Sequence, residues 1–305
     1  MKPLVALIAL LAGATCVGAT ASTPTGADVV ARISTGPDSK PCSVAFADGS
    51  MWASLFGSNE VVRIDPATND VVARIPVGDK PCGITAAARA VWVGAYTGNS
   101  VARIDPRTNT VVRRFPVSAI YDVIAGHGSV WVTSQFGTVY RINPARNRVV
   151  KTFRMPGGAG GLAITRNAVW VGVLQGTSLV RINPRKNRIV RTVELGAEAV
   201  WLASTPDAVW ASHGRSGTVS RIDARTNRRV ATIKVGRNPA DGGIVAGDLW
   251  IPNLQDATLS RIDPQANVVL ETIDVGPGPF VVPNHPTELW VGSWAGTEVW
   301  RLRPR

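Results

Sequence analysis

The sequence predicts an all-β chain folded as a seven-bladed β-propeller of four-stranded antiparallel blades, on three observations. Tryptophan recurs at positions 52, 92, 131, 170, 210, 250 and 290, a step of 39 or 40 residues each time. Eleven residues after each of them, ten after Trp131, stands Arg63, Arg103, Arg141, Arg181, Arg221, Arg261 or Arg301, always followed by Ile or Leu. Six residues past the first six arginines comes Asn69, Asn109, Asn147, Asn187, Asn227 or Asn267. Seven copies of a strand-rich unit at this period point to propeller blades, because radial stacking buries both faces of each small sheet.

The unit is clearest in residues 91–117, VWVGAYTGNSVARIDPRTNTVVRRFPV. A short alternating run (Val91, Trp92, Val93) meets a Gly-Asn turn, a second run ends in Arg103-Ile104-Asp105-Pro106, and a third starts at Val111 after a turn closing on Asn109. Tight turns between extended runs make an antiparallel meander. An Asn at one fixed turn position reports backbone geometry, since Asn tolerates positive φ and caps a turn with its own side chain. The Asn column therefore specifies the fold, and the arginines are expected to bridge blades or stack on the Trp column.

Taken from the start, residues 1–21 read as an export signal: Lys2 gives a positive n-region, Leu4 to Leu11 an apolar core, and Ala19-Thr20-Ala21 a cleavage site. The apolar run is too short for a membrane anchor, so the mature protein is expected to be exported, periplasmic or secreted, and not integral to the membrane. Cys16 follows Gly13-Ala14-Thr15, a poor match to a lipid-attachment pattern. Over residues 28–305 one propeller domain is expected. The segment VVARISTG from Val29 matches VVARIPVG at 71–78, so the mature chain opens on the outermost strand of a blade, and the chain stops at Arg305 before any such strand. The two ends should therefore complete one blade together, pairing the N-terminal strand with the C-terminal blade and removing free edges. Cys42 and Cys82 share a column of neighbouring inner strands. An exported chain permits a bridge between them, and two small buried thiols are the alternative.

With these columns laid out, the chain resembles the YVTN-repeat, YncE-like propellers. The signature is G-x-x-P-x-G-(V/I), as in Gly78 to Ile84, then VWVG, a Gly/Ser/Asn turn, and V-x-R-I-D-P-x-T-N-x-V-V. That resemblance implies architecture and no single chemistry. More distantly the chain is similar to the seven-bladed streptogramin (virginiamycin B) lyases, whose activity implies inner-strand His in a P-H-G context and Glu shortly after the blade Trp or Phe, around Mg²⁺. Here the inner-strand column reads Cys42, Cys82, Tyr121, Gly160, Val200, Ala240 and Phe280, and three residues after each Trp stand Leu55, Ala95, Ser134, Val173, His213, Asn253 and Ser293. Both halves of the lyase constellation are missing.

Other chemistry is sparse. His127 and His285 fall on one rim and His213 on the opposite rim, so they do not converge on a metal. No nucleophile elbow or Walker loop is present, and the G-x-G-x-x-A match in Gly157 to Ala163 lies between strands, without the helix that binds pyrophosphate. No cofactor and no metal site is expected. The funnel rim beside His213 is expected to gather Lys40, Lys80, Tyr121, Asp122, Glu198, Trp201 and Asp241, joined by Phe56, Tyr96, Gln135 and Trp294. Aromatic walls with a few charges suit a small ligand, and acids facing the lysines equally suit ion pairs that close the channel. If there is catalysis, lyase-like or hydrolytic, His213 with Asp241 or Glu198 are its candidates.

Charge is the sharpest asymmetry. The formal net charge is +12, or +11 after subtracting Lys2. From Val123 to Val193 there is no Asp or Glu and there are eleven Lys and Arg; setting aside Arg141 and Arg181 of the repeat column leaves nine. Arg146, Arg148, Lys151, Arg185, Lys186 and Arg188 stand at or beside the outer turns of blades three and four. Such a sector attracts polyanions: nucleic acid, anionic lipid headgroups or acidic wall polymers. No basic helix or RNP-like aromatic set accompanies it, so nucleic-acid contact should be non-specific. The expected function is a monomeric exported scaffold that binds a polyanion or small molecule, with a protein partner also open.

Overall fold

The computed structural model describes residues 26–305, and the leader over 1–21 with Cys16 lies outside them. From Ala27 to Pro304 the chain is strand and turn, arranged as seven sheets. Blade one holds β2 (Pro41–Ala47), β3 (Ser50–Leu55), β4 (Glu60–Ile64) and β5 (Val71–Pro76) in sequential antiparallel order. Blades two to six repeat that order over β6–β9, β10–β13, β14–β17, β18–β21 and β22–β25, within residues 81–274. Blade seven pairs β26 (Leu289–Gly292) with β27 (Glu298–Pro304), and β27 with the N-terminal β1 (Ala27–Ser34). The closure expected from the sequence is present: Ile33 lies opposite Val299, and Arg305 is ion-paired with Asp28.

The innermost position of blade seven is filled by an irregular segment, 279–285, joined to its own sheet by one bridge, Pro279 to Ser293. Pro279 and Pro283 supply no N–H to a ladder, which explains why no regular strand forms there. The segment leans on blade six instead, through parallel bridges Asp241 to Val281 and Val245 to His285.

The repeat columns hold the sheets together. All seven column tryptophans are buried, and each packs between blades, as Trp52, Val61 and Ile75 do with Ile84, Val91 and Val93. Trp52, Trp92, Trp131 and Trp250 donate their indole N–H to the carbonyl five residues earlier, as Trp52 does to Ala47 at 3.1 Å, while Trp170 uses the Thr165 hydroxyl at 3.0 Å. Every column arginine lies over its own tryptophan, from 5.0 Å for Arg301 to 5.7 Å for Arg181. Arg63 then donates to the Pro106 carbonyl of blade two at 2.7 Å, and Arg301 reaches Asn69 of blade one at 2.8 Å, carrying the chain of contacts across the closure. The column asparagines have φ between 49° and 64°, as their turn position requires. Stacking and bridging are thus both roles of the arginine column.

Candidate functional site

Six aromatic side chains meet at the mouth where the blade connectors enter the inner strands. Tyr121 of blade three stacks on Trp201 of blade five at 4.7 Å, and Trp201 meets Phe280 of blade seven edge-on at 4.9 Å. Phe280 continues to Trp294 (5.3 Å), Trp294 to Phe56 (4.4 Å) and Phe56 to Tyr96 (6.3 Å). Rings from blades three, five and seven touch one another, so they meet across the axis. Blade four places Gly160 in this column, where an added Cβ would stand 2.9 Å from Leu174 Cδ2. Lys80 lies over the Phe56 ring at 5.5 Å, and Lys40 is exposed.

Beneath this layer a channel of about 680 Å³ opens on the opposite rim. Its walls are inner-strand residues such as Val44, Ile84, Ile164 and Leu202, and Asp122 and Asp241 lie toward its closed end. Asp122 accepts hydrogen bonds from Val123 N (2.7 Å) and Leu162 N (2.8 Å), which ties blade three to blade four. Burial pushes its carboxyl up to about 6 despite those two donors. Burial, and then the charge of Asp122, push Asp241 well above the ordinary carboxylate range. The Tyr121 phenol is also raised well above its usual value, chiefly by burial and then by both carboxylates. The expected gathering of these acids with Lys40 and Lys80 is replaced by two layers. Among the described residues no ion pair joins them; the aromatic set forms the closed end and the acids line the channel.

His213 and Glu198 do not line that channel. His213 is 1% exposed; its Nδ1 is bonded to the Glu198 main-chain carbonyl and its Nε2 to Ser220 Oγ at 2.7 Å. The Glu198 carboxylate accepts instead from Arg215 N at 2.8 Å. Asn253, one blade on, makes the matching contacts, to Gly236 N (3.0 Å) and Ser260 Oγ (2.9 Å). Ser134 and Ser293 in the same column bind the Ser118 and Pro277 carbonyls at 2.7 and 2.6 Å. His213 is therefore one member of a column that clamps the blade connectors, with no ring nitrogen left for a substrate. His127 bonds the Thr165 carbonyl at 3.0 Å, and His285 packs edge-on against Phe46. Cys42 and Cys82 form a disulfide with Cα atoms 5.1 Å apart, linking inner strands of blades one and two.

The basic residues occupy the opposite, outer part of the molecule. Arg146, Arg148, Lys151, Arg185, Lys186 and Arg188 are all exposed, on the turns into β13 (Arg148–Arg154) and β17 (Arg188–Glu194) or on β13 itself. None of them takes part in an ion pair among the described residues, whereas Arg107, at the same turn of blade two, is bound by Asp105 at 3.1 Å. Blade five extends the pattern: exposed Arg228 repeats the position of Arg148 and Arg188, and exposed Arg225 that of Arg185, where blade three has Ala145 and sets Arg146 level with Lys186 instead. Blade six has Gln265 and Val268 there, and blade one Ala67 and Asp70. Sequence reasoning stopped at Val193, the end of the acid-free run, and so missed Arg225 and Arg228. The column alignment carried the signal. Asp223, the nearest acid, is occupied by Arg225 N, Thr226 N and Thr226 Oγ1, which together with Arg225's charge hold it below the usual carboxylate range.

No family model matches this chain, and no curated protein gives a significant match. Among solved structures it is similar to Kuenenia stuttgartiensis hydrazine synthase, with a TM-score of 0.76 and 13% identity over 88% of this chain and 97% of that one. Matches extend over 1629 chains, so the likeness identifies a widely shared scaffold and carries no chemistry with it. The chain is a seven-bladed β-propeller.

Proposed function

We propose that the protein is an exported, non-catalytic scaffold that captures polyanions on an arc of basic turns spanning blades three to five. The observation that carries this reading is the clustering of exposed cations on the same turn of three consecutive blades, with Arg148, Arg188 and Arg228 at one identical position, and none of them in an ion pair among the described residues. Arg107, Arg237, Arg261, Arg301 and Arg303 elsewhere on the molecule are each held by a carboxylate, whereas the cations of the arc are not. Unpaired guanidinium groups bind phosphate, sulfate and carboxylate oxygens through two parallel donors, and a set of them binds a polymer by releasing its counterions. The leader-like residues 1–21 and the Cys42–Cys82 disulfide support export, since such bridges persist in oxidising compartments.

The test is binding of the purified protein to single-stranded DNA, to heparin and to phosphatidylglycerol vesicles at about 50 and about 150 mM salt. The scaffold reading predicts salt-sensitive binding to at least one of them, weakened at least about tenfold in the variant carrying Arg146→Glu, Arg148→Glu, Arg185→Glu and Arg188→Glu. The ranking of the three names the source of the anion. No binding at low salt, or binding indifferent to that variant, would overturn it.

A further inference from the structure

We propose that the central channel is a blind pocket for a small organic cation, an ammonium group on a slim apolar body, seated between the Asp122 and Asp241 carboxyls. This site is independent of the basic arc.

The cavity is of ligand size: about 680 Å³, where small-molecule sites run roughly 300 to 1,000 Å³. It is closed at one end by the Tyr121–Trp201–Phe280 contacts and open at the other. Its wall mixes aliphatic side chains such as Val44, Ile84 and Leu202 with hydroxyl residues such as Ser43, Thr85 and Ser204, and the two carboxyls are its charged groups at depth. The sign of the charge is the informative part. The whole chain is +12, yet the charged groups facing this channel are Asp122 and Asp241, with Arg166 and His127 at its outer end. Arg166 is ion-paired with Asp207 at 3.3 Å, and His127 is turned to the Thr165 carbonyl at 3.0 Å. Neither cation neutralises the acids. The Tyr121 phenol at the closed end adds none.

The two carboxyls also differ in a way that suits one guest. Asp122 spends an oxygen on each of two main-chain N–H groups, so it is fixed in place. Asp241 is held only through its main chain, by Phe280 O and Val282 N at 3.2 and 3.0 Å, and its carboxyl has no hydrogen-bond or ion-pair partner. A carboxylate partly withdrawn from water without a partner is favoured by taking up a proton or a cation. An ammonium ion supplies up to three donors and one positive charge to this pair. A hard divalent metal fits less well, because it needs six or more oxygens and no group of three or more metal-ligating side chains occurs among the described residues. Burial raises both carboxyls, Asp122 to about 6. A cation must therefore displace a proton, and binding strengthens as pH rises through that range.

The experiment is calorimetric titration of the full disulfide-bonded protein with benzylamine and with benzyl alcohol as its neutral counterpart. Expected are saturable binding of benzylamine at one site, benzyl alcohol weaker by at least about tenfold, and a similar loss in Asp241→Asn. Benzylamine affinity should increase from about pH 5 to about pH 8. Ala125→Phe, which fills the channel and keeps both carboxyls, should also lose binding. Both variants should retain wild-type polyanion binding, which separates this site from the arc. Absence of saturable benzylamine binding, equal binding of the alcohol, or undiminished binding by a folded Asp241→Asn or Ala125→Phe variant would overturn the proposal.

Discussion

Besides the stack on its tryptophan, each column arginine has a hydrogen-bonding need at Nε, and the residue two places before the tryptophan decides whether it is met. Ser50 and Ser129 accept from Arg63 and Arg141 Nε at 2.8 Å, and Asp248 and Glu288 accept from Arg261 and Arg301 at 2.6 and 2.9 Å. Ala90, Ala168 and Ala208 stand at that place in the other three blades, and there Arg103, Arg181 and Arg221 Nε are buried without a partner. An unmet buried donor is costly, so Ala90→Ser should stabilise the protein by about 1 kcal/mol in chemical denaturation, and an unchanged or lower stability would refute the column reading. The channel carboxyls make a second residue-scale prediction. Their folded pKa values lie above the unfolded value near 3.8, Asp122 at about 6 and Asp241 well above the ordinary carboxylate range. The folded state therefore holds protons the unfolded state has released. Their contribution is fully present below the unfolded value and is lost as pH rises through 6 and beyond. Thermal midpoints should fall as pH rises from about 4 through about 6, and less steeply in Asp241→Asn; equal slopes would contradict that assignment.

Among the elements, the hairpins between inner and Trp strands of blades one, two, three and six are built on two residues of positive φ. Asp48-Gly49, His127-Gly128 and Ala246-Gly247 place glycine second, while blade two uses Ala88 and Arg89, at φ 49° and 56°. A left-handed conformation costs an ordinary residue roughly 1–2 kcal/mol, so Arg89→Gly should raise stability by about 1 kcal/mol, and destabilisation would show that Arg89 is held there by contacts of its own. Strand order, turn chemistry and blade closure were legible in the sequence because each rests on local geometry repeated seven times. The inner strands were harder to read. Register shifts fall between Pro41 and Val44, Pro81 and Ile84, and Ile120 and Asp122. A bulge breaks the alternation of strand faces, which is why Asp122 was expected with the lysines and is found in the channel. The same limit hid the aromatic layer as a closure, since which rings meet depends on blades three, five and seven reaching the axis together. His213 looked chemical because histidine often is; its column partners Ser134, Asn253 and Ser293 show the connector clamp that position performs.

At the scale of the whole molecule, a closed ring of blades turns a sequence period into a spatial one. Residues about forty apart in the chain become neighbours around the rim, so Arg148, Arg188 and Arg228 stand at one equivalent position of adjacent blades, as do Arg146 with Lys186 and Arg185 with Arg225. The excess charge of blades three and four was visible as composition; the arc, with its fifth-blade members, needed the fold. The same geometry separates two electrostatic worlds, a cationic outer arc and an acidic channel, in one rigid body closed by β1 on β27 and stapled at Cys42–Cys82. The measurement that tests the central claim most directly is the salt dependence of polyanion affinity, wild type against a variant in which Arg225 and Arg228 are changed to Glu. The arc predicts a linear fall of log K with log salt for the wild type and a slope reduced by about one to two in the variant, although both residues lie outside the acid-free stretch. An unchanged slope and affinity would contradict an arc of three blades acting as one binding surface.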